Sequence, residues 1–179
     1  MPRRYKKYRR SYKSFKMAKY SNETFCSEIE LSSDTLGERA VSICYIVPET
    51  NTLGTRKVKN IKLSFNIEQL QVIDQNQNAT AHDARIMFAL VYVPEGTAPS
   101  VPVLGQGNIA TSFYEPNQNV IMTGICDNHQ IYNFKTRLAR NLNSGDSIAL
   151  VFLQLDKVEE ANTTYVTPVT FNCNYAIAF

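Results

Sequence analysis

The sequence has no tryptophan, only two histidines and four cysteines, and not one aspartate or glutamate among its first twenty residues. Each shortage excludes something. Without tryptophan there is no Cys, Trp, Cys framework of the kind that marks immunoglobulin-like sandwiches. His82 and His129 each lie near an acid, Asp83 and Asp127, in polar stretches where a solvated loop side chain is the expected role. There is no His-x-x-x-His pair, no G-x-S-x-G and no glycine-rich phosphate loop leading into a helix. Glu159 and Glu160 fall in a charged loop. The chain is therefore expected not to be an enzyme and to need no cofactor. Cys26, Cys44, Cys126 and Cys173 form no C-x-x-C pair and lie in apolar stretches, so they read as reduced core thiols. Cys126 and His129 have half the spacing of a zinc site but no second pair, so no metal is expected. No apolar run approaches the ~18 residues of a membrane span, and no apolar segment follows the basic N-terminus as in a secretory signal. Neither membrane insertion nor secretion is expected, which leaves the sequons at Asn22, Asn78 and Asn162 without a role.

What the first twenty residues do hold is nine of the nineteen Lys and Arg residues: Arg3, Arg4, Lys6, Lys7, Arg9, Arg10, Lys13, Lys16 and Lys19. From residue 21 onward ten Lys and Arg face all sixteen Asp and Glu, a net of −6, against +9 for the arm. Like charge this dense repels itself and cannot bury a core, so the arm reads as an interaction tail for a polyanion. Tyr5, Tyr8, Tyr12, Phe15 and Tyr20 are interleaved with the cations, adding base stacking to phosphate attraction. The first four recur at spacings of three, four and three, which would align them on one face of a helix. The expectation is an arm, 1–20, that is disordered or helical and binds nucleic acid through Arg3, Arg4, Tyr5, Lys6, Lys7, Tyr8, Arg9, Arg10, Tyr12, Lys13, Lys16 and Lys19. Arg3, Arg4, Lys6, Lys7, Arg9 and Arg10 also compose a nuclear localisation signal.

The remainder, 21–179, is long enough for one self-sufficient domain. Period-two alternation is clearest at 57–68, where Ile61, Leu63, Phe65 and Ile67 share one face and Lys62, Ser64, Asn66 and Glu68 the other. Looser alternation marks 23–31 (Phe25, Ser27, Ile29, Leu31), 41–47 and the stretch from Tyr165 to the end. Residues 85–93 are apolar at nearly every position, as expected of a strand covered on both faces, one by its own core and the other by something else, for which another subunit is a candidate. Strands are also expected at 120–126 and 147–155, with long polar loops at 69–84 and 94–108. About eight antiparallel strands with loops too long for simple hairpins, and no convincing helical period, predict an all-β, eight-stranded jelly-roll sandwich.

The basic, tyrosine-rich arm, TRKVKNIKLSF (55–65), ARIMFALVYVPEGTAPSVPVL (84–104), SFYEPNQNVIMTG (112–124) and LARNLNSGDSIALVF (138–152) together resemble the capsid proteins of small circular single-stranded DNA viruses, the circovirus-like, replication-initiator-encoding group. The strand with its Gly, Thr and Pro loop is also similar to the coat protein of satellite tobacco necrosis virus. The resemblance implies a single jelly-roll shell domain, self-assembly into an icosahedral T=1 shell of sixty copies, and an arm facing a packaged single-stranded DNA genome, with RNA the alternative. It further implies nuclear import receptors and a host attachment factor as partners, and a place in the virion and the host nucleus. The chain is short for a circovirus capsid, and its arm is richer in Lys and Tyr than the arginine-rich ones. The competing class is a non-viral, monomeric nuclear or ribosome-associated β domain with a basic tail, although ribosomal proteins are usually basic throughout. A secreted jelly-roll ligand or lectin is disfavoured by the missing signal.

Overall fold

The computed structural model describes residues 19–51, 53–99 and 119–178, and all but residues 19–20 of the arm lie outside them. The described residues form eleven strands and no helix: β1 (Ser21–Ser33), β2 (Val41–Val47), β3 (Arg56–Ile67), β4 (Leu70–Ile73), β5 (Ala79–His82), β6 (Arg85–Val93), β7 (Asn119–Asp127), β8 (Tyr132–Thr136), β9 (Arg140–Leu142), β10 (Ser147–Gln154) and β11 (Thr164–Ala178). They make two antiparallel sheets. In the first, β11 runs between β1 on one edge and β3 on the other, β8 and β9 pair with the far edge of β3, and the β4–β5 hairpin extends the sheet beside the start of β11. The second has the order β2-β10-β6-β7. The pairs β6–β7, β3–β8, β2–β10 and β1–β11 are nested, so the chain is a long antiparallel ribbon doubled back at the β6–β7 connection.

The alternation of β3 is realised as written: Ile61, Leu63, Phe65 and Ile67 are buried, and Lys62 and Asn66 are exposed. Phe65 lies at the centre of the space between the sheets. Its ring centroid is 4.7 Å from Phe88, 5.7 Å from Phe152, 5.9 Å from Phe134 and 6.3 Å from Phe171, so β6, β8, β10 and β11 all send a ring to β3. The two central strands of the second sheet, β6 and β10, are buried on both faces. Ile86, Phe88, Leu90, Ile148, Leu150 and Phe152 join the inter-sheet core, while Ala89, Val91, Val93, Ala149, Val151 and Leu153 form a second cluster. The residues of this second cluster are buried, while Val41, Ile43 and Tyr45 of β2 and Ile125 of β7 are exposed.

Three further expectations are revised. The stretch 69–84 holds the β4–β5 hairpin and is not a loop, and the short strands β8 and β9 lie between 132 and 142, so eleven strands stand where eight were expected. The hairpin escaped notice because its outward positions are polar and its turn is closed by a side chain. Asp74 accepts hydrogen bonds from the backbone N–H groups of Asn76 (2.8 Å) and Asn78 (2.9 Å) and from Asn78 Nδ2 (2.9 Å), with Gln77 at φ 61°. Those bonds, Asn78 foremost, hold the Asp74 carboxyl below its ordinary range. Finally, only Cys126 and Cys173 are buried, with Cys44 half-buried and Cys26 exposed. In β1 the inward positions are those of Phe25, Ile29 and Leu31, which turns Cys26 to the other face. Burial pushes the Cys126 and Cys173 thiols up to about 12, so both stay protonated and inert.

The loops at one end of the sandwich are tied to Asp146, which is 4% exposed. Its carboxylate accepts from Tyr92 Oη (2.7 Å), Asn143 N (2.7 Å) and Glu95 N (3.1 Å), and Arg56 donates to its backbone carbonyl (2.8 Å) and to that of Pro48 (2.9 Å). Burial alone would make Asp146 a weaker acid and raise its pKa. The bonds from Tyr92, Asn143 and Glu95 and the charge of Arg56 outweigh it and leave the carboxyl below its ordinary range. The stability it contributes is thus present above the unfolded carboxylate range and is lost as pH falls through the lower folded value. Asp146→Asn should cost about 1.5–3 kcal/mol at neutral pH and flatten the acid limb of the stability profile below about pH 4, as read by urea denaturation from pH 3 to 7. A wild-type midpoint in the variant would contradict this role.

Gly124 is a second sensitive point. It sits in β7 opposite Phe88, and a Cβ there would lie 2.6 Å from Phe88 Cε1 and 3.1 Å from Phe134 Cε1. Gly124→Val should therefore destabilise by about 1–3 kcal/mol through overpacking, a fall in melting temperature of about 2–12 °C, while a substitution at exposed Thr123 should leave the melt within a degree or two.

Candidate nucleic-acid interface

Of the arm residues singled out for binding, Arg3, Arg4, Tyr5, Lys6, Lys7, Tyr8, Arg9, Arg10, Tyr12, Lys13 and Lys16 lie outside the described residues. Lys19 is described and exposed, and Tyr20 is half-buried, immediately before β1. Tyr20 shows where the arm joins the body. Lys59 Nζ stands 3.6 Å above its ring centroid, although Tyr20 precedes β1 and Lys59 belongs to β3, two strands away. The contact passes over β11 and holds the root of the arm to the outward face of the first sheet, at a strength of about 0.5–1 kcal/mol for an exposed cation–π pair.

That outward face is where the body's cations gather. The outward positions of β3 are Lys57, Lys59, Lys62, Ser64 and Asn66, since Val58, Ile61, Leu63, Phe65 and Ile67 face the core. An extra residue, Asn60 at φ 56°, faces a register shift between Asn174 and Ala176 of β11 and keeps Lys59 and Lys62 on the same face. On β8 the inward position is Phe134, which leaves Asn133 and Lys135 outward and exposed. Strand pairing then sets one row straight across four strands, Thr24, Asn174, Lys62 and Lys135, and beside it a row of Cys26, Asn172, Ser64 and Asn133. Thr24 Oγ1 donates to Asn174 Oδ1 at 2.7 Å. A shallow concavity of about 660 Å³ opens over the first row, with Arg137, Asn22 and Tyr175 also on its wall. One carboxylate, Glu23, shares that wall. Farther along β1 the outward residues become Glu28 and Glu30, so the face is basic where the arm enters and acidic at the other end.

Five of the ten body cations, Lys57, Lys59, Lys62, Lys135 and Arg137, thus belong to this region although the body as a whole is at −6. The sequence reading placed all binding in the arm and missed them. The period-two placement of Lys57 and Lys59 was a usable signal; that Lys62 shares their face depends on the extra residue Asn60, and the approach of Lys135 and Arg137 on register between distant segments, neither of which had one.

The histidines stand apart from this face. His82 ends β5, exposed, with Nε2 3.3 Å from Thr80 Oγ1, and His129 is exposed 3.7 Å from Asp83 while its backbone N–H donates to Asp127 at 3.0 Å. The two bonds at Asp127, from the His129 backbone and the Tyr132 side chain, lower its carboxyl. Among the described residues no group of three or more His, Cys, Asp or Glu is placed to hold a metal ion.

No family model and no curated protein matches the chain. Among solved structures it is similar to one of Desmodium yellow mottle tymovirus, at 10% identity over 87% of this chain and 88% of that chain, with a TM-score of 0.29. At that identity and superposition the likeness carries no conclusion about this chain.

Proposed function

We propose that the chain is a viral capsid protein, a jelly-roll subunit that assembles with copies of itself into a closed icosahedral shell of sixty and packages a single-stranded DNA genome through residues 1–20. The observation that carries this reading is the division of charge: an arm at +9 rooted on the basic face of an all-β body at −6. The connectivity supports the shell role. Setting aside the short strands β4, β5 and β9, eight strands remain, and their nested pairs wrap into sheets of order β1-β11-β3-β8 and β2-β10-β6-β7, the doubled ribbon of a jelly roll. Arg3, Arg4, Lys6, Lys7, Arg9 and Arg10 would serve nuclear import before assembly, and the protein would then be found in the host nucleus and the virion.

Charge supplies the mechanism. Nine cations each meeting a phosphate of a single strand give a salt slope of about 6, so one arm loses on the order of 10³ to 10⁴ in affinity between 50 and 200 mM salt. One arm is a weak, sequence-tolerant binder. Many arms facing one enclosed strand act together through effective concentration, which couples packaging to closure. The repulsion among arms gathered in a shell is relieved by the polyanion.

Sixty copies of a 20.3 kDa chain total roughly 1,200 kDa. Light scattering and electron micrographs of recombinant protein at low and high salt should show closed particles of that mass with a nucleoprotein absorbance ratio. A 20 kDa monomer under every condition, with or without oligonucleotide, would overturn the shell and favour a basic-tailed nuclear binding domain. Deleting 1–20 should leave the body's melting temperature within a few degrees and lower the salt slope for single-stranded DNA by about 6; an undiminished slope would remove the arm from the mechanism.

A further inference from the structure

We propose that the row Thr24, Asn174, Lys62 and Lys135, with Arg137 and Lys59, is a second binding site for the sugar-phosphate backbone of single-stranded nucleic acid, carried by the body and continuous with the arm. It rests on the reading of the arm as a nucleic-acid binder but adds a site that reading does not contain. The starting observation is the pairing of Lys62 with Lys135, directly opposite each other on one face of adjacent strands. Like charges so placed destabilise a sheet, and among the described residues neither lysine makes a salt bridge; those present join Arg85 to Asp156 and His129 to Asp83. Arg137 adds a third cation to the same concavity against the single carboxylate of Glu23. An anion that meets both lysines relieves the repulsion, and a phosphodiester does so without a full dianion.

The surroundings suit a strand more than a free ion. The concavity is an open trough crossing strands, not a closed pocket, and the row beside it offers Asn172, Ser64 and Asn133, the amide and hydroxyl groups that contact sugars and phosphates. At the arm end Lys59 caps Tyr20, so the arm's last cation, Lys19, begins where the trough ends. Beside the path, farther along β1, Glu28 and Glu30 repel phosphate and bound it on one flank. A strand held by the arm therefore runs onto the sheet near Tyr20 and crosses it along the lysine row.

Fluorescence anisotropy of a 20-nucleotide oligothymidylate against salt tests this on the full chain. Lys62→Ser/Lys135→Ser should lower the salt slope by about 1.4, two contacts at 0.7 each. Lys157→Glu, which changes net charge by the same two units in an exposed loop at the far end of β10, should leave the slope unchanged, and Lys62→Arg/Lys135→Arg should retain it. In the absence of DNA the serine variant should melt at or above the wild-type temperature, since it removes a like-charge pair, which separates lost binding from lost folding. A serine variant with the wild-type slope overturns the site, as does a Lys157→Glu slope that falls equally. Arg9→Ser/Arg10→Ser decides the arm separately: a lowered slope there beside an unchanged serine variant removes the sheet site and leaves the arm, while a lowered slope in the serine variant alone upholds the site and removes the arm.

Discussion

The contact on which the rest depends is Phe65 between the two sheets. It receives rings from β6, β8, β10 and β11, so both sheets and both halves of the ribbon meet at one side chain. Sheets packed face to face need side chains to fill a gap of ~10 Å, and large rings in tilted and edge contacts do so at native density. Gly124 belongs to the same solution: the rings of Phe88 and Phe134 meet over it because it has no side chain. Once that layer is fixed, alternation decides what each strand shows to the outside. The basic face is, in this sense, the reverse side of the phenylalanine core, for Lys62 and Ser64 point outward because Leu63 and Phe65 point inward.

Legibility in the sequence followed the number of wet faces. β3, wet on one side, was readable from Ile61 to Ile67, though not at its extra residue Asn60, and the inward set of β1 was readable more loosely. β6 and β10, dry on both sides, could be recognised as strands but not oriented, because an apolar residue at every position carries no phase. In β2 the apolar residues Val41, Ile43 and Tyr45 are the exposed ones, and Cys44 and Ile46 face inward; a register shift opposite β10 at Ile148 and Ala149 then brings Val47 inside as well. The hairpin of β4 and β5 was hidden by polar composition, and its turn depends on Asp74 bonding forward to Asn76 and Asn78, a signal of chemistry and not of hydrophobic period. The charged arm was the plainest feature of the chain. Its counterpart on the sheet was illegible because Lys62 and Lys135 become neighbours only through register.

The distribution of charge is more finely divided than the totals suggest. By its total of −6 the body repels the polyanion its own arm attracts, yet the acids of β1 and the cations of β3 and β8 are separated along one face, with the cations at the arm's root. Screening over ~8–10 Å at moderate ionic strength makes that local arrangement matter more than the sum.

Cys26 has a practical consequence. It is the one exposed thiol of the four, it lies on the outward face in register with Asn172 and Ser64, and it stands one row from Lys62 and Lys135. The buried thiols of Cys126 and Cys173 are held protonated, and half-buried Cys44 packs against the core, where burial raises its thiol too. A maleimide dye would thus attach at a known place beside the lysine row without any engineered cysteine, giving the native chain a fluorescent reporter of whatever comes to rest on that face.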